Sequence, residues 1–374
     1  MAHARLSPSG AHRWLRCAGS IQAEEKFRLE FGEPETSPHA AEGSAAHELA
    51  ELALNNNCST HEYLDQTLPE NDAYTATIEM CDYVQQYVDY VNSLMGEQSY
   101  EVLLDFRSWI PEGFGTSDAV VLKGDTLYVV DLKYGKGVQV YADNNEQAQL
   151  YALGALDYYS FAADRIKKVI ITIVQPRLDH IDEWETTPEQ LYKFGEWASS
   201  QAKLIDEESP ERTPGDKQCK FCLAKAVCPE LKKQTEKTLL SEFDELKTSD
   251  VLSDEELRTA LENKKLIISW LDAVESHVTN LLLEGKTFEG YKLVEGRSTR
   301  QWSNETEAEK LLVETIKEKA FNKKLLSVSQ AEKVLGKDKK DLIEDLIIKP
   351  AGKPTIVPET DKRESLGISV EDFD

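Results

Sequence analysis

With 374 residues, 40% of them hydrophobic and 30% charged, the chain has the make-up of a folded protein with one large core plus an appendage, or with two domains. No run of about 18 apolar residues occurs, and the opening "MAHARLSPSGAHRWLRC" lacks the apolar centre and cleavage site of a secretory signal. The expectation is therefore a cytoplasmic protein with no membrane segment. A net charge of −25 argues against a general nucleic-acid coating protein, because phosphate binding draws on Lys and Arg, but it leaves room for a local basic channel or a site where bound cations reverse the charge.

Along the chain, "SPSGAHRWLRCAGSIQAEEKF" predicts a first helix, with Ser7 as N-cap and Pro8 at its first position. A Pro- and Gly-bearing loop, "FGEPETSPHAAEG", follows. "EGSAAHELAELAL" and "TATIEMCDYVQQYVDYVNSLMG" then carry apolar residues at helical spacing. The character changes at "SYEVLLDFRSWIPEGFGTSDAVVLKGDTLYVVDLKYGKG", where two or three short strands separated by Gly-containing turns predict a meander. "NNEQAQLYALGALDYY" is helical, and Val169 to Val174 forms a further strand stopped by Pro176. The expected fold class is α/β, a mixed central sheet flanked by helices. From about Thr235 to Ile347 the sequence is charged and helical, interrupted by the strand-like "FEGYKLVEGRSTRQW". The expected division is thus 1–234, a mainly helical module over 235–347, and a flexible acidic tail over 348–374. There is no GxxxxGK[ST] phosphate loop, and "KYGKG" is not one, so an ATP-driven motor is not expected.

"TLYVVDLKYGKG" ends an apolar strand with Asp131 and Lys133, which are two apart and so share a face. Taken alone, the pair reads as a solvated strand end. "GFGTSDAVV" places Asp118 after a Gly-rich turn at the start of its own strand, and a hairpin through "LKGDT" would bring Asp118 beside Asp131. Two carboxylates held together repel unless a cation lies between them, and hard oxygen donors suit Mg²⁺ or Mn²⁺. Lys133 beside them could orient a metal-bound water or help to deprotonate it.

At this point the chain resembles the RecB-like branch of the PD-(D/E)xK nucleases. "GTSDAVV" and "VVDLKYG" are similar to that branch's second and third motifs, "GSAAH" (Gly43 to His47) to its upstream GxxxH element, and "QAQLY" (Gln147 to Tyr151) to its downstream QxxxY helix, in family order. The resemblance implies a restriction-endonuclease-like core. His47, Asp118, Asp131 and the carbonyl of Leu132 would bind one or two Mg²⁺ or Mn²⁺ ions, and Lys133 would position the attacking water. Gln147 and Tyr151 would orient the DNA strand or the lysine. Read without the resemblance, His47 is a packed histidine and Gln147 with Tyr151 a packing pair. Glu101 either joins the site from the first strand or flanks it. Lys123 and Lys136 read as solvated turn charges.

Six cysteines are too few for a disulfide scaffold, so clustering points to metal or redox chemistry. Cys219, Cys222 and Cys228 form C-x2-C-x5-C and need a fourth ligand; no further Cys occurs downstream, and one lies far upstream at Cys17. The set resembles the iron–sulfur subgroup of the same branch, which includes AddB-like and CRISPR-associated adaptation nucleases. There, one Cys before the nuclease motifs and three after them hold a 4Fe–4S cluster. Zn²⁺ on four thiolates, or on three and a His, is the alternative. Cys58 and Cys81 read as ordinary residues.

The resemblance implies a metal-dependent deoxyribonuclease, an exonuclease working on DNA ends or single strands in phage recombination or replication. It would act alone or with a separate recombinase, helicase or single-strand-binding protein, in the cytoplasm of a bacterial host if phage-encoded. The first rival is a catalytically silent DNA-end-binding protein on the same fold. The second makes the C-terminal module the main function, with Glu364 to Asp374 as a partner-binding tail.

Overall fold

The computed structural model describes residues 4–34, 37–243 and 254–294. The chain divides into two units, Met1–Leu293 and Val294–Asp374. The predicted helices beyond residue 294, most of the strand-like interruption and the acidic tail lie outside the described residues.

The first unit runs α1 (Ala11–Trp14), α2 (Ser20–Phe31), α3 (Pro38–Asn55), α4 (Ile78–Ser93), β1 (Glu97–Asp105), β2 (Phe114–Lys123), β3 (Thr126–Leu132), α5 (Glu146–Tyr158), β4 (Lys168–Gln175), β5 (His180–Thr186), α6 (Pro188–Ile205), α7 (Asp216–Cys219), α8 (Pro229–Phe243) and α9 (Asp254–Leu283). The five strands form one mixed sheet in sequence order, antiparallel throughout except for the parallel pair β3 and β4, which α5 joins as a crossover. One face carries α3 and α4 over Ala119, Val121 and Val130. The other carries α5 and α6, with residues of the N-terminal segment, over Val120, Leu122, Val129 and Ile171. Burial of both faces explains the apolar runs "AVVL" and "VIITIV", which a sheet wet on one side would not carry.

Local signals start the helices. Ser37, Thr77 and Asn145 accept hydrogen bonds from the backbone N–H groups of Ala40, Met80 and Ala148. Thr187 and Gln190 form a reciprocal capping box at the head of α6. The β2–β3 hairpin turns on Gly124, whose φ of 64° lies in the left-handed region that glycine adopts without strain. Gly154 lets α5 lie close on β1: a Cβ there would sit 2.8 Å from Cβ of Leu104.

The structure corrects several expectations. The single first helix is broken into a 3-10 turn (Pro8–Gly10), α1 and α2, because the chain turns at Cys17 to Gly19 to meet the segment at 210–213. Ser7 makes no side-chain cap. The loop before α3 is shorter than predicted, as Pro38 already begins the helix. Asp118 stands in mid-strand, since β2 begins at Phe114.

Candidate metal site and cysteine centre

Strand register builds the site. Tyr100 pairs with Ala119 and Val102 with Ser117, which sets Glu101 opposite Asp118. Ala119 pairs with Val130, which sets Asp118 opposite Asp131. Three acidic residues thus stand in one row across β1, β2 and β3. The row coincides with a break in alternation. Tyr100 packs with the α3–α4 layer, yet Val102, two residues on, lies in the α5–α6 layer. Glu101 absorbs the switch with a φ of 45°, a left-handed conformation that costs a non-glycine residue roughly 1–3 kcal/mol.

Asp118 is the hub of the site. Its Oδ1 lies 3.0 Å from His47 Nδ1, delivered by α3, and its Oδ2 accepts the Leu132 N–H at 2.6 Å. Single donor atoms of His47, Glu101 and Asp118 all lie within 4.8 Å of one another, the geometry for one hard cation. Asp131 stands outside that group. It is buried and engaged by Lys133, whose Nζ donates to Asp131 Oδ1 and to Gln147 Oε1, each at 3.1 Å. Gln147 Nε2 in turn donates to the Tyr151 hydroxyl at 3.2 Å. His47, Asp118, Leu132, Asp131, Lys133, Gln147 and Tyr151 therefore lie in two neighbouring sets across the β2–β3 pair, and Glu101 joins the first.

Burial alone would neutralise His47, but the Asp118 carboxylate outweighs it and pushes the imidazole up to about 9. Burial, reinforced by Asp118, pushes Glu101 up to about 8. Asp118 is held below the usual carboxylate range, His47 and Lys133 outweighing its burial, whereas burial raises Asp131 despite Lys133. Lys133 is raised, since the neighbouring carboxylates Asp131 and Asp118 overcome desolvation, so it stays charged and donates protons in hydrogen bonds.

Two features escaped sequence reasoning. The positive φ of Glu101 has no glycine to announce it. Arg177, almost fully buried just after β4, bonds Glu42 of α3 at 3.0 Å and Glu79 of α4 at 3.6 Å, and lies 4.8 Å over the ring of Tyr134. It ties the helix bearing His47 to the residue after Lys133. Lys123 and Lys136 are exposed, in keeping with solvated turn charges.

Cys17, Cys219, Cys222 and Cys228 line one small cavity, with Leu231 and Ala224 beside them. None of the four is in a disulfide. Cys17 Sγ accepts the Thr213 N–H, and Cys219 Sγ the Gly215 N–H, each at 3.4 Å. Burial pushes Cys17 and Cys219 up, and burial with the nearby Glu24 pushes Cys222 up to about 12. Cys58 and Cys81 lie elsewhere, beside Tyr63 and Thr60.

Residues 3–364 match a family described as "Protein of unknown function (DUF2800)". The chain belongs to that family. Nine solved chains also match. One of them, "Crystal structure of SSO0001", is 13% identical, covers 55% of this chain and 94% of its own, and aligns with a TM-score of 0.25, which carries no argument.

In this DUF2800 member, Glu101 separates strain from charge. Glu101→Gly should be more stable than Glu101→Ala by about 1 kcal/mol, because both remove the crowded carboxylate but only glycine relaxes the backbone. Urea midpoints of the two variants check this. Equal midpoints would show that the left-handed conformation stores no strain.

Proposed function

We propose that the protein is a Mg²⁺- or Mn²⁺-dependent deoxyribonuclease of the PD-(D/E)xK type that degrades DNA from its ends. The observation that carries this reading is the row Glu101, Asp118, Asp131 with His47 and Lys133 converging on it. A structural reading has no need for three carboxylates in adjacent strands, one of them in a strained conformation with no side-chain hydrogen bond or ion pair at Glu101 among the described residues to offset it. The donors are hard and include one imidazole, and they fit such a cation. When bound, it would polarise the phosphoryl oxygen and lower the pKa of a coordinated water.

The residues would divide the remaining work. His47, Glu101 and Asp118 would hold the cation, and Asp118 would also fix the end of β3 through the Leu132 N–H. Lys133, charged and aimed by Asp131 and Gln147, would place the attacking water and offset the charge that builds on the phosphate. Its raised pKa argues against a role as general base. Gln147 and Tyr151 would fix the lysine's direction.

At the four cysteines we favour a 4Fe–4S cluster over Zn²⁺, because the long split spacing of Cys17 from Cys219, Cys222 and Cys228 is unlike the two close pairs usual at zinc sites. Backbone N–H groups directed at two of the sulfurs are the kind of bond that tunes such a cluster.

The test is cleavage of end-labelled linear DNA against closed circular DNA by anaerobically purified protein with Mg²⁺ or Mn²⁺, beside Asp131→Ala. Loss of linear DNA that vanishes in the variant supports the reading. If both proteins are inert but bind DNA ends, the end-binding rival replaces it.

Cation uptake should also be linked to protons. With His47 raised to about 9 and Glu101 to about 8, both are protonated at neutral pH in the metal-free protein, so binding must displace up to two protons. Mn²⁺ affinity should rise by up to about tenfold per pH unit for each proton displaced, and level off above the higher pKa. Calorimetry in two buffers of different ionisation enthalpy counts the protons. Affinity that is flat between pH 6.5 and pH 8.5 would contradict this.

A further inference from the structure

The N-terminal segment touches both centres, and the contacts are specific. On the cysteine side, the ring of His12 meets Phe221, between Cys219 and Cys222, edge-on at 6.0 Å. Arg13 pairs with the buried Glu24 at 2.9 Å, and Glu24 accepts the N–H of Leu223, the neighbour of Cys222, at 2.9 Å. On the catalytic side, Arg16 pairs with Glu146, both side chains being largely buried, and also donates to the His12 carbonyl at 3.2 Å. Arg16 immediately precedes Cys17. Glu146 is the first residue of α5 and immediately precedes Gln147, which accepts from Lys133.

We propose that Arg16 and Glu146 are positioning residues through which the four-cysteine centre sets the catalytic lysine, so that turnover depends on the state of that centre. The inference rests on the nuclease reading for its effect on activity, but not for the mechanical link. Cys17 drawn into the centre fixes Arg16, and Arg16 fixes Glu146 and with it the first turn of α5. Gln147 then presents its oxygen to Lys133. Helix ends fray, and at this one the Asn145 side chain accepts the Ala148 N–H. The partly buried Arg16–Glu146 pair ties this capped first turn to the residue before Cys17 and so steadies Gln147.

The experiment has two readouts on the full chain, with the centre reconstituted from ferrous iron and sulfide. In the first, Arg16→Met, Glu146→Gln and the double variant are compared with wild type in DNA cleavage. Each single change should lower kcat by about 10- to 100-fold with little change in KM, the size of effect expected when a catalytic group is displaced by about 1 Å. The double variant should be no worse than the poorer single one. A purely structural pair would lower the melting temperature and leave the kcat of the folded fraction unchanged, which overturns the proposal, as would additive losses. The second readout is hydrogen exchange of residues 145–151. Exchange should quicken when iron is stripped from wild type, quicken equally in Arg16→Met, and not respond to stripping in that variant. An unaltered α5 after stripping overturns the link. If wild type cleaves no DNA, the nuclease reading falls, and the exchange measurement still decides the link.

Discussion

Asp118→Asn should abolish metal-dependent cleavage, lowering kcat by at least about 10³-fold, while leaving the fold within about 1 kcal/mol of wild type. The two halves of this result have different causes. Activity falls because Asp118 contributes to the cation group and also fixes the end of β3. Stability holds because Asp118 is the middle of three carboxylates, so removing its charge relieves Glu101 and Asp131 together. The relief offsets part of the lost attraction to His47 and Lys133, and the amide oxygen of asparagine can still accept the Leu132 N–H. A site that is costly to build is the ordinary mark of function traded against stability. Thermal melts beside single-turnover cleavage test both halves. A variant that cleaves within tenfold of wild type, or one that fails to fold, would refute the role assigned here.

Cys17→Ser should lower the melting temperature of the loaded protein by about 10 °C or more, whereas Cys58→Ser should leave it nearly unchanged. A bound metal centre contributes its binding free energy to folding, on the order of 10 kcal/mol for structural sites, and a domain of this size shifts by roughly 2–4 °C per kcal/mol. Cys17 is the only one of the four thiols contributed by the N-terminal segment. Without it the segment keeps its protein contacts, among them the Gly19 N–H to the Glu211 carbonyl at 2.8 Å and the Leu223 N–H to Glu24 at 2.9 Å, but loses the bond to the centre that ties it to Cys219, Cys222 and Cys228. Trypsin should then cut at Arg16 or Arg28. Melting curves that coincide for the two serine variants would mean that the centre does not close the unit.

The parts legible in the sequence were those whose signal is local. The β2–β3 hairpin follows from "KGD" between two apolar runs, and α5 from a run rich in the helix formers Ala, Leu and Gln behind Asn145. Gln147 and Tyr151 reach the site because four residues bring a side chain back to the same helical face. The illegible parts are non-local or atypical. β5, "HIDEWET", is a polar edge strand that carries too few apolar residues to announce itself. The head of α6 is encoded locally in "TTPEQ", with cap, proline and N3 glutamine in place. Glu101 could not be placed from sequence, because a non-glycine residue with positive φ contradicts the local rule, and such contradictions concentrate where function demands them. Arg177 depends on three segments meeting, which no spacing encodes.

The hydrogen bond from Thr213 to Cys17 spans 196 residues. During synthesis at about 5–20 residues per second, Cys17 leaves the ribosome about 10–40 s before its partners. The sheet with its row of acids can assemble in that interval, but the N-terminal segment cannot close. The chain therefore has a built-in order of completion, in which the segment made first is locked last. Ribosome-stalled chains ending before residue 213 should show Cys17 fully open to a thiol reagent, and chains extended well past Cys228 should not.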